Sequence, residues 1–281
     1  MAQALNKTKR RIASVSNTKK ITEAMELVAT VKLKKFKSVM EKNSHYVLEM
    51  ENVISHLFEM LENDDEIIYL NEGKGTKDLV VVINSNLGLC ASYNSNVYNY
   101  IKNNIKKDET VLLPIGIKGE TNYQKEGYEL INDFVSLNEK LSYDDCVKLG
   151  RYLHTEFVNG KYKKIRIIYT KYINSLRFEP NEKILFPLKP VQKTEILGYE
   201  PIYDPNVKTL IEELVPIALV STIYQALIES QVSEQASRRT AMENANDNAD
   251  EIIEKLTLEF NKARQAAITQ EISEVVSSQN K

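Results

Sequence analysis

Three groups of residues have side chains able to do chemistry. The first is Gly73-Lys74-Gly75-Thr76-Lys77, with the glycines, lysine and hydroxyl of a phosphate-binding loop. A Walker A loop needs Gly, four residues, then Gly-Lys-Ser/Thr, so that successive main-chain N–H groups curl around the phosphates. That spacing is missing, and the acidic, then Gly-containing run from Glu62 to Lys77 reads as a flexible linker. The second is Cys90, in the loop Ser85-Asn86-Leu87-Gly88-Leu89-Cys90-Ala91-Ser92-Tyr93-Asn94-Ser95-Asn96. A doubly wound sheet often binds phosphate in such a loop after its first strand, but the glycine spacing for that is absent. No His or Asp stands there to activate the thiol, so Cys90 reads as a packed turn residue. The third is His45, His56 and His154, which fall at no metal-ligand spacing and read as surface or packing histidines. No catalytic residue, cofactor or metal is expected of this chain.

The elements around those residues divide into a middle and two ends. Leu79-Val80-Val81-Val82-Ile83 is a short apolar run suited to a strand buried on both faces, and Val111-Leu112-Leu113, Leu130-Ile131 and Ile165-Arg166-Ile167-Ile168-Tyr169 resemble it. Helical stretches alternate with them at Asn96 to Lys106, Lys118 to Lys125 and Tyr143 to Val158. The alternation predicts a small parallel α/β sheet over 77–200.

On either side lies a rod. From about Ala4 to Leu61 there is neither Gly nor Pro, and a heptad places Leu33, Met40, Val47, Ile54 and Leu61 at one position and Phe36, Asn43, Met50 and Leu57 at the other. Asn43 is the polar intruder, able to fix register if buried or to face solvent if the helix is rotated there. At the other end Asp204 is a candidate N-cap with Pro205 at the first helical position, and Pro216 should kink or restart the helix. Beyond it Met242, Ala245, Ala249, Ile252, Leu256, Phe260, Ala263 and Ala267 recur at steps of three and four. The alanine-rich stripe suits either close pairing with a second helix or a long surface helix. Each rod spans roughly 90 Å at 1.5 Å per residue. Matched lengths allow antiparallel pairing, with segments 1–62 and 206–281 as a coiled coil and the α/β domain inserted at one end.

Composition bounds the function. The 281 residues carry a net charge of −2, with 42% hydrophobic and 27% charged side chains, 9 Gly and 7 Pro, as suits one or two helix-rich domains. No apolar run reaches the ~20 residues of a membrane span, and Met1 to Leu5 lead into Lys7, Lys9, Arg10 and Arg11 without the apolar stretch of a secretory signal. Two cysteines, Cys90 and Cys146, build no disulfide framework, so a reducing compartment is expected. Residues 1–37 hold ten basic side chains against Glu23 and Glu26, whereas residues 229–281 carry a net charge of −4. A basic helix could meet nucleic acid, but with few interleaved aromatics and acids at the far end of the chain, a protein or intramolecular partner is the expectation.

Both ends carry a resemblance. Glu234-Gln235-Ala236-Ser237-Arg238, Ala241-Met242, Asn248-Ala249 and the run Asn261-Lys262-Ala263-Arg264-Gln265-Ala266-Ala267-Ile268-Thr269-Gln270-Glu271-Ile272 are similar to the C-terminal signature of the gamma subunit of F-type ATP synthases. Ile12-Ala13-Ser14-Val15-Ser16-Asn17-Thr18, then Lys20-Ile21-Thr22 and Ala24-Met25, resemble its N-terminal motif, with Glu23 where that family usually has Lys or Arg. The loop after the first strand resembles the family's Asp-Arg-Gly-Leu-Cys-Gly-Gly-Tyr-Asn, keeping Gly88-Leu89-Cys90 and Tyr93-Asn94 but carrying Asn86-Leu87 and Ala91-Ser92.

The resemblance implies a non-catalytic central rotor shaft. Its fold would be a long antiparallel two-helix coiled coil with an inserted Rossmann-like α/β domain that binds no nucleotide. Three alpha and three beta subunits would surround it, with an epsilon-type subunit and a membrane rotor ring at its foot, on the cytoplasmic face of the cell membrane. Rotation would couple ATP synthesis or hydrolysis to proton or ion translocation. Met25 and Arg238 would lie at the neck of the ring, and Arg264, Gln265, Thr269 and Glu271 would form a polar catch on the beta subunits. Coil packing for Met25 and a solvated face for Arg264 and Gln265 are the plainer alternatives. Three other readings stay open. A specialised F-type-like motor would be coupled to something other than a proton rotor, a free-standing coiled-coil scaffold would form a stable monomer or homodimer, and a nucleic-acid binder would associate in a salt-sensitive way.

Overall fold

An uninterrupted run without Gly or Pro leaves nothing to stop a helix, and α1 extends over Ala2–Glu59. The computed structural model describes residues 2–61, 67–138, 142–174, 177–189, 203–204 and 206–279. The remaining elements are β1 (Asp78–Ile83), α2 (Tyr93–Asn104), β2 (Thr110–Ile115), α3 (Ile117–Glu126), β3 (Glu129–Leu130), α4 (Tyr143–Val158), β4 (Ile165–Tyr172), β5 (Phe178–Phe186) and α5 (Val207–Gln279). The chain forms two units, Lys32–Ser237 and a smaller one of Met1–Val31 with Arg238–Lys281.

In the larger unit the sheet order is β3-β2-β1-β4-β5. β1 pairs in parallel with β2 and β4, and β2 in parallel with β3. β5 runs antiparallel to β4, so the sheet is mixed rather than all parallel. The sequence conceals β5 because Pro180 and three charged residues break its apolar pattern; an edge position tolerates them. Alternate residues of β1 enter two cores. Leu79, Val81 and Ile83 pack with Leu149, Leu153 and Phe157 of α4 and Ile223 and Leu227 of α5. Val80 and Val82 pack with Val97 and Ile101 of α2 and Tyr123 of α3. Strands covered on both faces must be apolar throughout, as β1 is.

The first core also takes in Ile54, Leu57 and Phe58 of α1. Leu33, Phe36, Met40, Asn43, Val47, Met50, Ile54, Leu57 and Leu61 are all at least half-buried, which is the expected heptad. Asn43 faces inward, and its Nδ2 donates to Gln225 Oε1 at 2.8 Å. Lys183 of β5 pairs with Glu51 of α1 on the same side of the sheet.

The expected linker is not loose where it is described. Ile67 and Tyr69 are buried in the core. Gly73 N–H donates to Lys163 O at 2.9 Å, and Tyr69 O accepts from Leu188 N–H at 2.7 Å. A Cβ on Gly73 would run into the Tyr162 carbonyl oxygen, and one on Gly75 into that of Lys161. These glycines serve close backbone approach, not phosphate binding or flexibility. Residues 62–66 lie outside the described residues.

The start of α5 also differs from expectation. Asn206 caps it, its Oδ1 accepting the Thr209 N–H at 2.9 Å. Asp204 therefore precedes the cap by two residues, and Pro205 lies outside the described residues. The helix runs through Pro216 without restarting. Within α5 one 18-residue window is long and apolar enough to cross a membrane, although the sequence shows no unbroken apolar run. Most of that window is buried inside the fold.

In the smaller unit α1 and α5 pair antiparallel. Lys19 meets Asp250 at 2.6 Å, while Thr22 and Glu26, further along α1, meet Asn246, earlier on α5. The α5 seam is Met242, Asn246, Ala249, Ile253, Leu256, Phe260, Ala263 and Ala267, each buried or half-buried. Ile252, expected in it, is 44% exposed, and Ile253 takes the place. Asn246 sets that phase by entering the seam as a hydrogen-bonded polar residue, which a search for apolar periodicity passes over.

Candidate functional site

The residues proposed for contact with other chains all belong to the smaller unit. Arg264, Gln265 and Thr269 lie on the exposed surface of α5. Thr269 Oγ1 donates to the Gln265 main-chain oxygen at 2.9 Å, so its hydroxyl is held along the helix while the Gln265 amide is exposed. Glu271 lies in α5, seven residues from Arg264 and so on the same helical face; its side chain lies outside what is described. Met25 is half-buried and Arg238 is buried. Twenty-six positions separate Arg238 from Arg264, roughly 39 Å of helix, so the residues expected at a neck and at a catch lie far apart along α5.

Around them the usual placement of polar and apolar side chains is partly inverted. The heptad that α1 follows lower down continues through Lys19, Thr22 and Glu26, which occupy seam positions. Thr22 Oγ1 lies 2.5 Å from Asn246 Oδ1, and Asn246 Nδ2 donates to Glu26 Oε2 at 2.7 Å. The hydrogen bond and charge of Asp250 raise the Lys19 ammonium above its ordinary pKa. Glu23 sits 3.6 Å from the same ammonium. Among the described residues Lys19 is alone among the ten basic side chains of segment 1–37 in pairing with an acid of α5. Meanwhile Ile21, Leu27, Val28 and Val31 of α1 and Leu258, Ile268, Ile272 and Val275 of α5 are exposed.

The larger unit holds the crevice where a doubly wound sheet takes a ligand, at the C-terminal ends of β1 and β4, on either side of which the strand order reverses. Side chains fill it. Asn94 Nδ2 donates to Ser85 Oγ at 2.7 Å, and Asn94 Oδ1 accepts the Ser85 N–H at 3.1 Å. Asn84 Oδ1 accepts from Tyr123 OH at 3.1 Å, and Asn86 Oδ1 accepts the Ile117 N–H at 3.1 Å at the start of α3. The divergent Asn86 thus has a task, holding the loop to a helix N-terminus. Cys90 is buried with its sulfur near Asn94 Nδ2, at 3.3 Å, which agrees with a packed turn residue.

α5 closes the crevice with three serines that sequence reasoning passed over. Ser233 Oγ donates to Thr170 O at 3.2 Å, Ser230 Oγ accepts the Thr170 N–H at 3.1 Å, and Ser237 Oγ donates to Cys90 O at 2.5 Å. Their spacing i, i+3, i+7 places them on one helical face, but among Glu229, Gln231, Glu234 and Gln235 it does not stand out in the sequence. His154 likewise packs, its Nε2 2.9 Å from Tyr69 OH among Phe157 and Phe186, with burial lowering its pKa. Burial pushes the Cys146 thiol up to about 12, where it carries no thiolate at neutral pH.

The chain is thus a mixed α/β sheet domain whose crevice is filled by its own side chains, joined to two long helices that carry exposed apolar and polar residues. The family model described as ATP synthase matches residues 4–280. ATP synthase gamma chains of Mycoplasma capricolum subsp. capricolum and Mesoplasma florum are 36% and 35% identical, each over 98% of both chains. That of Halothermothrix orenii is 33% identical over 98% of this chain and 97% of its own. The chain belongs to the ATP synthase gamma chain family. A chain in the structure of the Euglena gracilis mitochondrial ATP synthase (OSCP/F1/c-ring) shares the fold with a TM-score of 0.67 at 15% identity, covering 100% of this chain and 95% of its own. One from the central stalk and c-ring of the Tetrahymena thermophila enzyme reaches 0.57 at 24% identity, over 80% of this chain and 99% of its own.

Proposed function

We propose that the chain is the central rotor shaft of an F-type ATP synthase or ATPase, non-catalytic itself, turning within a ring of three alpha and three beta subunits. Segments 1–62 and 206–281 form its coil, and segment 77–200 the domain that meets an epsilon-type subunit and an ion-translocating rotor ring at the cytoplasmic face of the cell membrane. The observation that carries the reading is the inverted surface of the smaller unit. A coiled coil free in water keeps apolar side chains in its seam and charge outside. Here Lys19, Thr22, Glu26 and Asn246 occupy the seam while Ile21, Val28 and Val31 face outward. Such an exterior suits a protein sleeve with apolar walls. Within it Met25 and Arg238 meet the neck, and Arg264, Gln265, Thr269 and Glu271 make the polar catch that forms at some angles and breaks at others.

Co-expression with the alpha and beta subunits tests this. The chain should co-elute with both at one copy per ring and restore rotation-dependent ATPase activity, whereas the pure chain should hydrolyse no ATP. A stable homodimer that ignores both subunits would identify a free-standing scaffold, and turnover by the pure chain would overturn the non-catalytic role.

A further inference from the structure

We infer that Ser230, Ser233 and Ser237 form the joint through which torque passes between α5 and the sheet domain, an inference that rests on the rotor reading above. β4 overhangs β1, since their pairing ends at Val82↔Ile168. Main-chain groups on one edge of a strand recur every second residue, so the N–H and C=O of Thr170 point to the side β1 has already left. On its other side Thr170 stands opposite Pro180 of β5 as a non-hydrogen-bonded antiparallel pair, so its N–H and C=O point away from that strand too. The two Thr170 groups are thereby left in a fully buried place without a strand partner. α5 supplies both, Ser230 Oγ accepting the N–H and Ser233 Oγ donating to the C=O. One turn further, Ser237 Oγ donates to the carbonyl of Cys90, beyond the end of β1.

The three residues are at most 1% exposed and lie along one face of α5, so they grip both strand β4 and the loop between β1 and α2. Apolar packing between α5 and α4 can slide with little directional resistance, because dispersion contacts have no preferred angle. Hydrogen bonds to fixed main-chain atoms resist rotation of the helix about its own axis and translation along it. Gly150 of α4 brings that helix close to Val220, where a Cβ would run into the valine side chain, so close packing holds α5 there and the serine hydrogen bonds hold it further along. Ser230, Ser233 and Ser237 are positioning residues, acting through the domain they hold.

The test uses the full complex reconstituted with its rotor ring in vesicles, carrying S230A/S233A/S237A. ATP hydrolysis should stay within about two-fold of wild type, while ions pumped per ATP should fall about three-fold or more under load, as expected when three directional bonds are lost. Hydrogen exchange at the Thr170 amide should rise in the same sample. An unchanged pumping ratio with faster Thr170 exchange overturns the joint. If the triple variant fails to assemble, S233A and S237A are measured singly, and normal pumping by both overturns it as well. Failure of the wild-type chain to join the ring would count against the rotor reading instead, and so is told apart.

Discussion

Asn43 Nδ2 donates to Gln225 Oε1 at 2.8 Å, tying the polar member of the lower heptad of α1 to α5. Gln225 passes the interaction on, its Nε2 donating to Glu229 Oε1 at 2.9 Å. Asn43→Ala should therefore destabilise the chain by about 1–2 kcal/mol, because it leaves the amide oxygen of a buried Gln225 unpaired. In N43L/Q225L the loss at position 43 should be smaller than Asn43→Leu causes beside an intact Gln225, because no amide oxygen is then left unpaired there, while Glu229 Oε1 loses the Gln225 donor in both variants that carry Gln225→Leu. Urea unfolding of wild type, N43L, Q225L and N43L/Q225L measures that coupling; losses that simply add would contradict the pairing.

Backbone conformation in the loop after β1 gives a second expectation. Ala91 has φ 44°, in the left-handed region where a Cβ costs about 1–2 kcal/mol. Ala91→Gly should stabilise by about 0.5–1 kcal/mol once the greater freedom of glycine in the unfolded chain is subtracted. Gly116 shows the opposite case, with φ 101° and the Asn84 carbonyl where a Cβ would stand. Gly116→Ala should lower stability by several times the Ala91 effect, and thermal unfolding of the two variants should shift in opposite directions.

The sequence made the long elements legible because their signals are repetitive. An absence of Gly and Pro with a steady heptad leads to α1, and the apolar runs at β1, β2 and β4 lead to a sheet covered on both faces. Tyr143–Val158 matches its predicted helix end to end. What escaped notice depends on partners distant in sequence. Phe178–Phe186 is a strand because β4 offers it an edge, and Asn246 rather than Ala245 leads the seam because Thr22 and Glu26 face it. The serines of α5 were invisible for the same reason, since nothing in Ser230 or Ser233 announces an unpaired Thr170. Family motifs pointed to Arg264, Gln265, Thr269 and Glu271, whose proposed role depends on chains outside this one.

Glu229 should make stability depend on pH. Burial raises its carboxyl pKa above the ordinary value of 4.5, against the lowering influence of Gln225, Lys171 and Lys183, which face it together with Tyr169. A raised folded-state pKa means the folded chain binds the proton more tightly, so the favourable contribution is complete below 4.5 and is lost as pH rises through the folded value. At neutral pH the ionised carboxylate is then a cost. Glu229→Gln should raise the unfolding midpoint at pH 7, and the difference from wild type should close as pH approaches 4. Equal midpoint shifts at both values would show that the carboxylate is solvated enough to titrate normally.

The catch itself is tested by removing side chains whose loss α5 should not notice. Arg264 and Gln265 are exposed, and the Thr269 hydroxyl bonds the main chain of residue 265, which an alanine keeps. Alanine is also the best helix former, so R264A/Q265A should leave helicity and unfolding unchanged. In the complex the same change removes one charge-assisted and one neutral hydrogen-bonding group, roughly 2–4 kcal/mol of gross interaction. If those groups hold a beta subunit in one of its conformations, assembly should proceed normally while the ATPase rate or the torque of the reconstituted motor changes. Loss of assembly would make the pair structural in the ring rather than a catch. Normal assembly, rate and torque together would remove the catch from this chain and leave Arg264 and Gln265 as part of a solvated face.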